Sequence, residues 1–541
     1  MENMCKTIRP GSEVRHGQSV ADQLRLSGSI ILLACCHIMI SSAVAMSSFP
    51  SSLTNRIVVS NLQELNSAMS SAKPGDKIVM KDGVWHDAFI DCSANATSSK
   101  PVTLQAETPG NVVLNGNSRL TFSKPHLVVD GLFFKQGAID KGSVISFNSD
   151  DCRLTNTAIV DFNPVQFETS YYWVYFKGNN NRLDHCYLRG KNNMNPLIGN
   201  DEKDSRHNSM DHCYIKDIAY VPDNNGREIM RIWGYGHNDE MGEDGAYFTV
   251  ENNLFERAHG EGVEIVSLKS NYNIVRYNTV IASRGGLVGR RGKNNTFEGN
   301  FILGHHQEGT TGIRVAGPNH RVINNYICDT AEDGLRLITG EYYSKSLTTS
   351  FKAKKKDLPK YLQVRDGYFA HNTIINAGGN GIDIGFSYKK QWPDVQMVLI
   401  PENNLFVNNI VYHCAATAMT MALQDKNPPL DFLAFKPNRF EGNIVFGGEV
   451  SLQPIPSGIA TIDPNLVLGA DGLYRLSKDS PAINSGAISD VNDDMDGQMR
   501  DEKKDIGADE WSQAKVLRHP LTAREVGPEW VIKKRSTGDD L

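Results

Sequence analysis

Asn253-Leu254-Phe255, Asn278-Thr279-Val280, Asn300-Phe301-Ile302 and Asn325-Tyr326-Ile327 are one phrase written four times, at intervals of 25, 22 and 25 residues. The phrase returns at Asn372-Thr373-Ile374 and Asn443-Ile444-Val445. Cys186-Tyr187-Leu188 and Cys213-Tyr214-Ile215 carry it with Cys in the Asn place. A second series keeps step with the first: Gly262-Val263-Glu264-Ile265, Gly286-Leu287-Val288, Gly312-Ile313-Arg314-Val315, Gly334-Leu335-Arg336-Leu337 and Gly381-Ile382-Asp383-Ile384. A fixed period in the range of 20–50 residues marks a solenoid or a propeller, and a propeller blade needs about 40. Short strands at a period near 24, with no helices between them, predict an all-β solenoid, a parallel β-helix of single-strand turns. Asn at one place in successive coils predicts a stacked hydrogen-bonded ladder.

Outward from that core, the chain divides into three. A solenoid is expected from about residue 56 to 480. A short amphipathic helix, Leu62 to Ala72, opens it behind the capping-box pattern Ser60 to Glu64, and is placed to plug the open end. Residues 481–541 read as a loop-rich tail packed on the solenoid. Residues 1–45 read as a targeting segment: Lys6, Arg9, Arg15 and Arg25, an apolar run from Ile30 to Ile40, then Ala43-Val44-Ala45. That order is a secretory signal, and its apolar run is short for a membrane span, so an exported protein without a transmembrane segment is expected. A second reading takes Leu32-Leu33-Ala34-Cys35 as a lipoprotein box that anchors the protein through Cys35. Stretches 234–246 and 340–365, the latter with Lys352, Lys354, Lys355 and Lys356, interrupt the repeat and read as insertions.

Composition excludes several classes. The 541 residues hold 56 Lys+Arg against 62 Asp+Glu, a net charge of −6, which argues against a general nucleic-acid binder. Glycine, at 47 against 22 prolines, suggests many tight bends. Six cysteines outside the targeting segment (Cys92, Cys152, Cys186, Cys213, Cys328 and Cys414) form no C-x-x-C pair, so a zinc site is not expected and buried thiols are.

Strand alternation gives the chemistry. If Val263, Ile265, Leu287, Ile313, Val315, Leu335, Leu337, Ile382 and Ile384 face inward, then Glu264, Val288, Arg290, Arg314, Arg336 and Asp383 face out. Arg314 and Arg336 then stack on neighbouring coils about 4.8 Å apart, with Arg290 beside them and Lys269 at a strand end. A cationic row repels itself unless acidic neighbours or a polyanion compensate it.

At these residues the sequence resembles polysaccharide lyase family 6, the family of alginate lyases and chondroitinase B. The resemblance rests on Lys73-Pro74-Gly75-Asp76-Lys77-Ile78-Val79, Glu264-Ile265-Val266-Ser267-Leu268-Lys269-Ser270, Leu287-Val288-Gly289-Arg290, Gly312-Ile313-Arg314-Val315 and Asp505-Ile506-Gly507-Ala508-Asp509-Glu510. It implies a right-handed parallel β-helix that cleaves an acidic polysaccharide, alginate or a related polyuronate, by β-elimination. Lys269 would be the base and Arg290 the acid. Arg314 would bind substrate; Arg336 extends the row, and Arg291 stands where the family often has His. The family commonly holds Ca²⁺ through an Asn and a Glu-x-Glu pair. Here Asn225, Glu261 and Glu264 are the candidate ligands, since Gly262 occupies the first Glu position. Dermatan sulfate is the alternative substrate. A β-helix glycoside hydrolase using Asp383 with Glu264 or Glu332, and a noncatalytic carbohydrate-binding solenoid, are the alternative classes.

Overall fold

The computed structural model describes residues 55–222, 225–233, 244–343, 360–392, 395–422 and 435–537. The targeting segment with Cys35, the four lysines 352–356 and most of both interruptions lie outside these residues. The described chain winds into three long parallel sheets of 14, 13 and 14 strands, and through most of the coils successive strands pass from one sheet to the next in turn. The first sheet runs from Arg56–Val59 to Arg439–Glu441, the second from Phe89–Cys92 to Glu449–Val450 and the third from Gly83–His86 to Ile459–Ala460. The expected parallel β-helix is therefore present.

One coil shows the logic. Thr249–Glu251 lies in the first sheet, Leu254–Ala258 in the third and Glu264–Leu268 in the second. The repeated Asn sits at the bend between the first two. Asn253, Asn278, Asn300, Asn325, Asn372, Asn409 and Asn443 form a continuous ladder in which each amide group donates to the carbonyl oxygen of the next at 2.8–3.0 Å. Asn409, in Asn409-Ile410-Val411, is a further copy of the phrase beyond those quoted above. The residue before each ladder Asn takes the left-handed conformation, and it is Asn252, Tyr277, Asn324, His371 or Asn408 as readily as Gly299. Glycine is thus not the general bend residue. In the second sheet it solves a crowding problem instead. A Cβ on Gly286 would lie 2.2 Å from the carbonyl oxygen of Gly312, and one on Gly312 would lie 1.9 Å from that of Gly334.

Inside, like residues stack on like: Phe122, Phe147 and Phe176 at 4.6 and 4.8 Å, and Phe369, Phe406 and Phe440 at 4.9 and 5.1 Å. The six cysteines are buried free thiols. The N-terminal helix spans Leu62–Ser71 and buries Leu65, Ala68 and Met69 against the first coils. Asn61 caps it, accepting from the Glu64 amide at 2.9 Å, while Glu64 reaches back to the Ser60 amide at 2.7 Å. The tail holds one element that its loop-rich sequence did not announce, the helix Glu529–Thr537. Its Trp530 packs against Phe133 and donates to the Asn156 carbonyl at 2.9 Å. Among the described residues no helix is long and apolar enough to cross a membrane.

Candidate active site

The second sheet carries the outward row. In register across it lie Arg231, Ser267, Val288, Arg314, Arg336 and Asp383. Ser267 therefore takes the place expected for Glu264. A register shift between Glu264 and Val266 breaks the alternation, so Val263, expected inside, is 48% exposed.

That irregularity sets Glu264 into the middle of the cations. Its buried carboxylate accepts from Arg314 Nη2 at 2.5 Å and from the Ser267 hydroxyl, and Arg290 Nε lies 3.5 Å away. Burial alone would raise its pKa; Arg314, Lys269 and Arg290 outweigh burial and hold it below the usual carboxylate range. Glu228 holds the base candidate. Its Oε1 accepts from Lys269 Nζ at 2.6 Å. Its Oε2 is buried without a hydrogen bond, 3.5 Å from Arg231 Nη1. Arg231 is itself anchored by Asp201 at 2.7 Å and the Tyr172 hydroxyl at 2.6 Å.

Glu261 is the third carboxylate. It accepts from the backbone amides of Gly226 at 2.8 Å and Arg227 at 3.3 Å. Burial, followed by the charges of Glu228 and Glu264, pushes its pKa up to about 7. The structure explains why the acid stands at 261 and not 262. Gly262 has φ +76°, and a Cβ there would lie 2.6 Å from the Tyr220 ring. A glutamate at 262 would collide with Tyr220, whereas one at 261 reaches the amides of the facing loop. One oxygen from each of Glu228, Glu261 and Glu264 lies within 4.8 Å of the others. Glu261, Glu264, Arg290 and Arg314, with Asn225, Tyr220, Val263 and Tyr361, line a cavity of about 490 Å³.

The remaining predicted residues divide. Arg336 lies one coil beyond Arg314, paired with Glu332 and Asp333 at 2.7 Å each and stacked over Phe386, and it does not line the cavity. Arg291 and Lys269 both lie over the Trp233 ring, at 5.3 and 5.2 Å. Asp383 and Glu332, the alternative hydrolase carboxylates, do not line the cavity that Glu264 lines. Sequence reading missed Glu228, three residues after the candidate ligand Asn225, and Tyr361, which lies 71 residues from Arg290 and carries no local signal.

The solenoid thus brings cations and carboxylates together at a cavity on one sheet face. The family model described as Chondroitinase B matches residues 59–454. A PL6 family polysaccharide lyase from Pseudopedobacter saltans is 44% identical, with a TM-score of 0.72, over 88% of this chain and 99% of that one. The PL6 family alginate lyase AlyGC is 26% identical with a TM-score of 0.69 over 88% of this chain, which spans 58% of AlyGC. A mannuronic acid specific family 6 lyase from human gut microbiota is 27% identical with a TM-score of 0.62, over 76% of this chain and 91% of that one. No curated protein matches. The chain belongs to polysaccharide lyase family 6, the family of alginate lyases and chondroitinase B, and is a polysaccharide lyase.

Proposed function

We propose that this lyase is an exported enzyme that cleaves alginate by β-elimination, with Lys269 as base and Arg290 as acid. One observation carries the reading: Arg290 and Arg314 share Glu264 at the wall of one cavity, with Lys269 held next to it by Glu228. Support for the substrate comes from AlyGC, an alginate lyase, and from the mannuronic acid specific relative. Support for export comes from the basic, apolar and small-residue order of residues 1–45.

The chemistry follows from charge. A uronate C5 proton is weakly acidic while the adjacent carboxylate keeps its full charge. Arg314, on the cavity wall, binds that carboxylate and stabilises the enediolate-like anion that develops. Lys269 takes the C5 proton. The C4–O4 bond then breaks, a C4=C5 double bond forms, and Arg290 gives a proton to the departing O4. Glu228 fixes Nζ of Lys269 and keeps it from the competing carboxylate Glu264. Ca²⁺ fits the donor set, because three carboxylates and the Asn225 amide offer hard oxygens and Glu228 Oε2 has no donor of its own. Glu261 and Glu264, with Glu228 and Asn225, would hold it, and when bound it supplies positive charge opposite the uronate carboxylate.

The test uses alginate, polymannuronate, polyguluronate and dermatan sulfate, with the wild type beside Lys269→Ala and Arg290→Ala. The wild type is expected to yield unsaturated product from an alginate polymer, and neither variant should. Full activity in either variant overturns the assignment, and turnover of dermatan sulfate alone replaces the substrate.

A further inference from the structure

Arg290 leaves its strand at the residue after Gly289 and meets a segment from far along the chain. Its guanidinium carbon lies 3.7 Å from the centre of the Tyr361 ring, the closest cation–ring contact among the described residues. Its Nη1 donates to the Lys360 carbonyl at 3.3 Å, and its Nε faces Glu264. Nε and one N–H of Nη1 thus face protein groups, whereas Nη2 makes no such contact among the described residues.

The ring does not stand there loosely. The Lys360 amide donates to the buried Glu341 carboxylate at 2.5 Å, and the Glu341 amide donates to the Tyr361 carbonyl at 2.8 Å. The Gly317 amide donates to the Leu362 carbonyl at 3.1 Å, and Gln363 Nε2 donates to the Ile400 carbonyl at 2.8 Å. Tyr361 also packs on the apolar cluster of Ala316, Ile338 and Met397. Gly340 makes room for this segment, since a Cβ there would lie 2.6 Å from the Gln363 amide nitrogen.

Arginine holds its proton tightly, so it serves as an acid only when a donor nitrogen is aimed at the leaving oxygen. A misplacement of about 1 Å costs about 100-fold in rate. A cation over an aromatic face is held against that face. We propose that Tyr361 is a positioning residue for the elimination: its ring and the Lys360 carbonyl fix the Arg290 guanidinium so that Nη2 meets O4. The proposal rests on the reading of Arg290 as the acid.

The test compares kcat and KM on alginate for the wild type, Tyr361→Phe, Tyr361→Leu, Tyr361→Met and Arg290→Ala, with thermal unfolding of each. Tyr361→Leu and Tyr361→Met are expected to lose about 10- to 100-fold in kcat with KM nearly unchanged. Phe should restore at least half of kcat, because the ring and not the hydroxyl does the holding. In an Arg290→Lys background, adding Tyr361→Leu should cost little more. Wild-type kcat in Leu or Met, a rise in KM alone, a Phe variant as slow as Leu, or a full Leu penalty in the Arg290→Lys background each overturns the proposal. Arg290→Ala at the wild-type rate defeats the acid assignment itself; Arg290→Ala inactive beside an unimpaired Tyr361→Leu defeats only the role of Tyr361.

Discussion

Among the described residues, two places gather three carboxylates within 4.8 Å of one another: Glu228, Glu261 and Glu264 at the second sheet, and Asp494, Asp496 and Asp509 in the tail. In the tail the protein uses every charge itself. Arg475 bridges Asp496 and Asp509 at 2.6 Å each. Both oxygens of Asp494 accept backbone amides, from Asp496, Gln498 and Glu510. Beside them the Arg500 guanidinium is fully buried on Glu510 at 2.9 Å and donates to the Gly507 and Ala508 carbonyls. On the sheet the account does not close. Glu261 meets two backbone amides and, among the described residues, no cation within ion-pair distance, and Glu228 keeps a buried oxygen without a donor. The tail trio is closed by protein donors, whereas two members of the sheet trio, Glu261 and Glu264, line a cavity.

The comparison breaks most sharply on the cations. Lys269→Ala or Arg290→Ala should lower kcat on the polysaccharide by about 1,000-fold, in the range of lost acid or base catalysis; in Arg290→Ala, where Arg314 still pairs Glu264, the unfolding temperature should change little. Arg500→Ala should do the reverse. Removing one partner of a buried pair costs about 3–5 kcal/mol, so denaturant unfolding should show the loss while the protein that stays folded keeps its rate. A variant of either kind that behaves like the other would erase the distinction.

A third way of burying a titratable group sharpens the contrast. His320 is fully buried and neutral, accepting from the Asn295 amide at 3.2 Å in a second ladder that Asn273 and Asn295 begin. Burial lowers its pKa to about 4, against the Nε2–H bond to the Ala316 carbonyl, which favours the charged form. The unfolded chain binds a proton below pH 6.5 that the folded chain refuses until about pH 4, so stability is lost across that interval as pH falls. The shift corresponds to about 3 kcal/mol. His320→Asn, which restores the ladder residue, should remove this acid-labile part, measured by urea unfolding at pH 7 and at pH 4.

The smallest expected effect separates the two trios by metal. Ca²⁺ at a hundredfold excess over its dissociation constant should stabilise the wild type by about 2.7 kcal/mol. Glu261→Gln should abolish most of that response, and Asp496→Asn in the tail should leave it intact. A response lost in Asp496→Asn and kept in Glu261→Gln would exchange the roles of the clusters.

The sequence made the coil legible because its period is strict. Asn at one bend position can serve only if the next coil presents another, so the ladder is written at intervals of 22 and 25 residues. The positions of Lys269 and Arg290 just past strand ends, and of Arg314 within a strand, were legible from that register. Glu264 was misplaced by one position in the row because a register shift is invisible to alternation. Glu228 was passed over because its partner Lys269 lies 41 residues away, and Tyr361 because it enters the site from outside the repeat. The tail helix was hidden because its packing rests on one aromatic residue, Trp530, and not on a long apolar stripe.

The most direct measurement is the ultraviolet absorbance of the products when the wild-type enzyme acts on alginate, read together with new reducing ends. The account predicts that each cleaved bond gives one absorbing C4=C5 double bond beside one new reducing end. Reducing ends that accumulate without that absorbance would mean hydrolysis and would contradict elimination at this site.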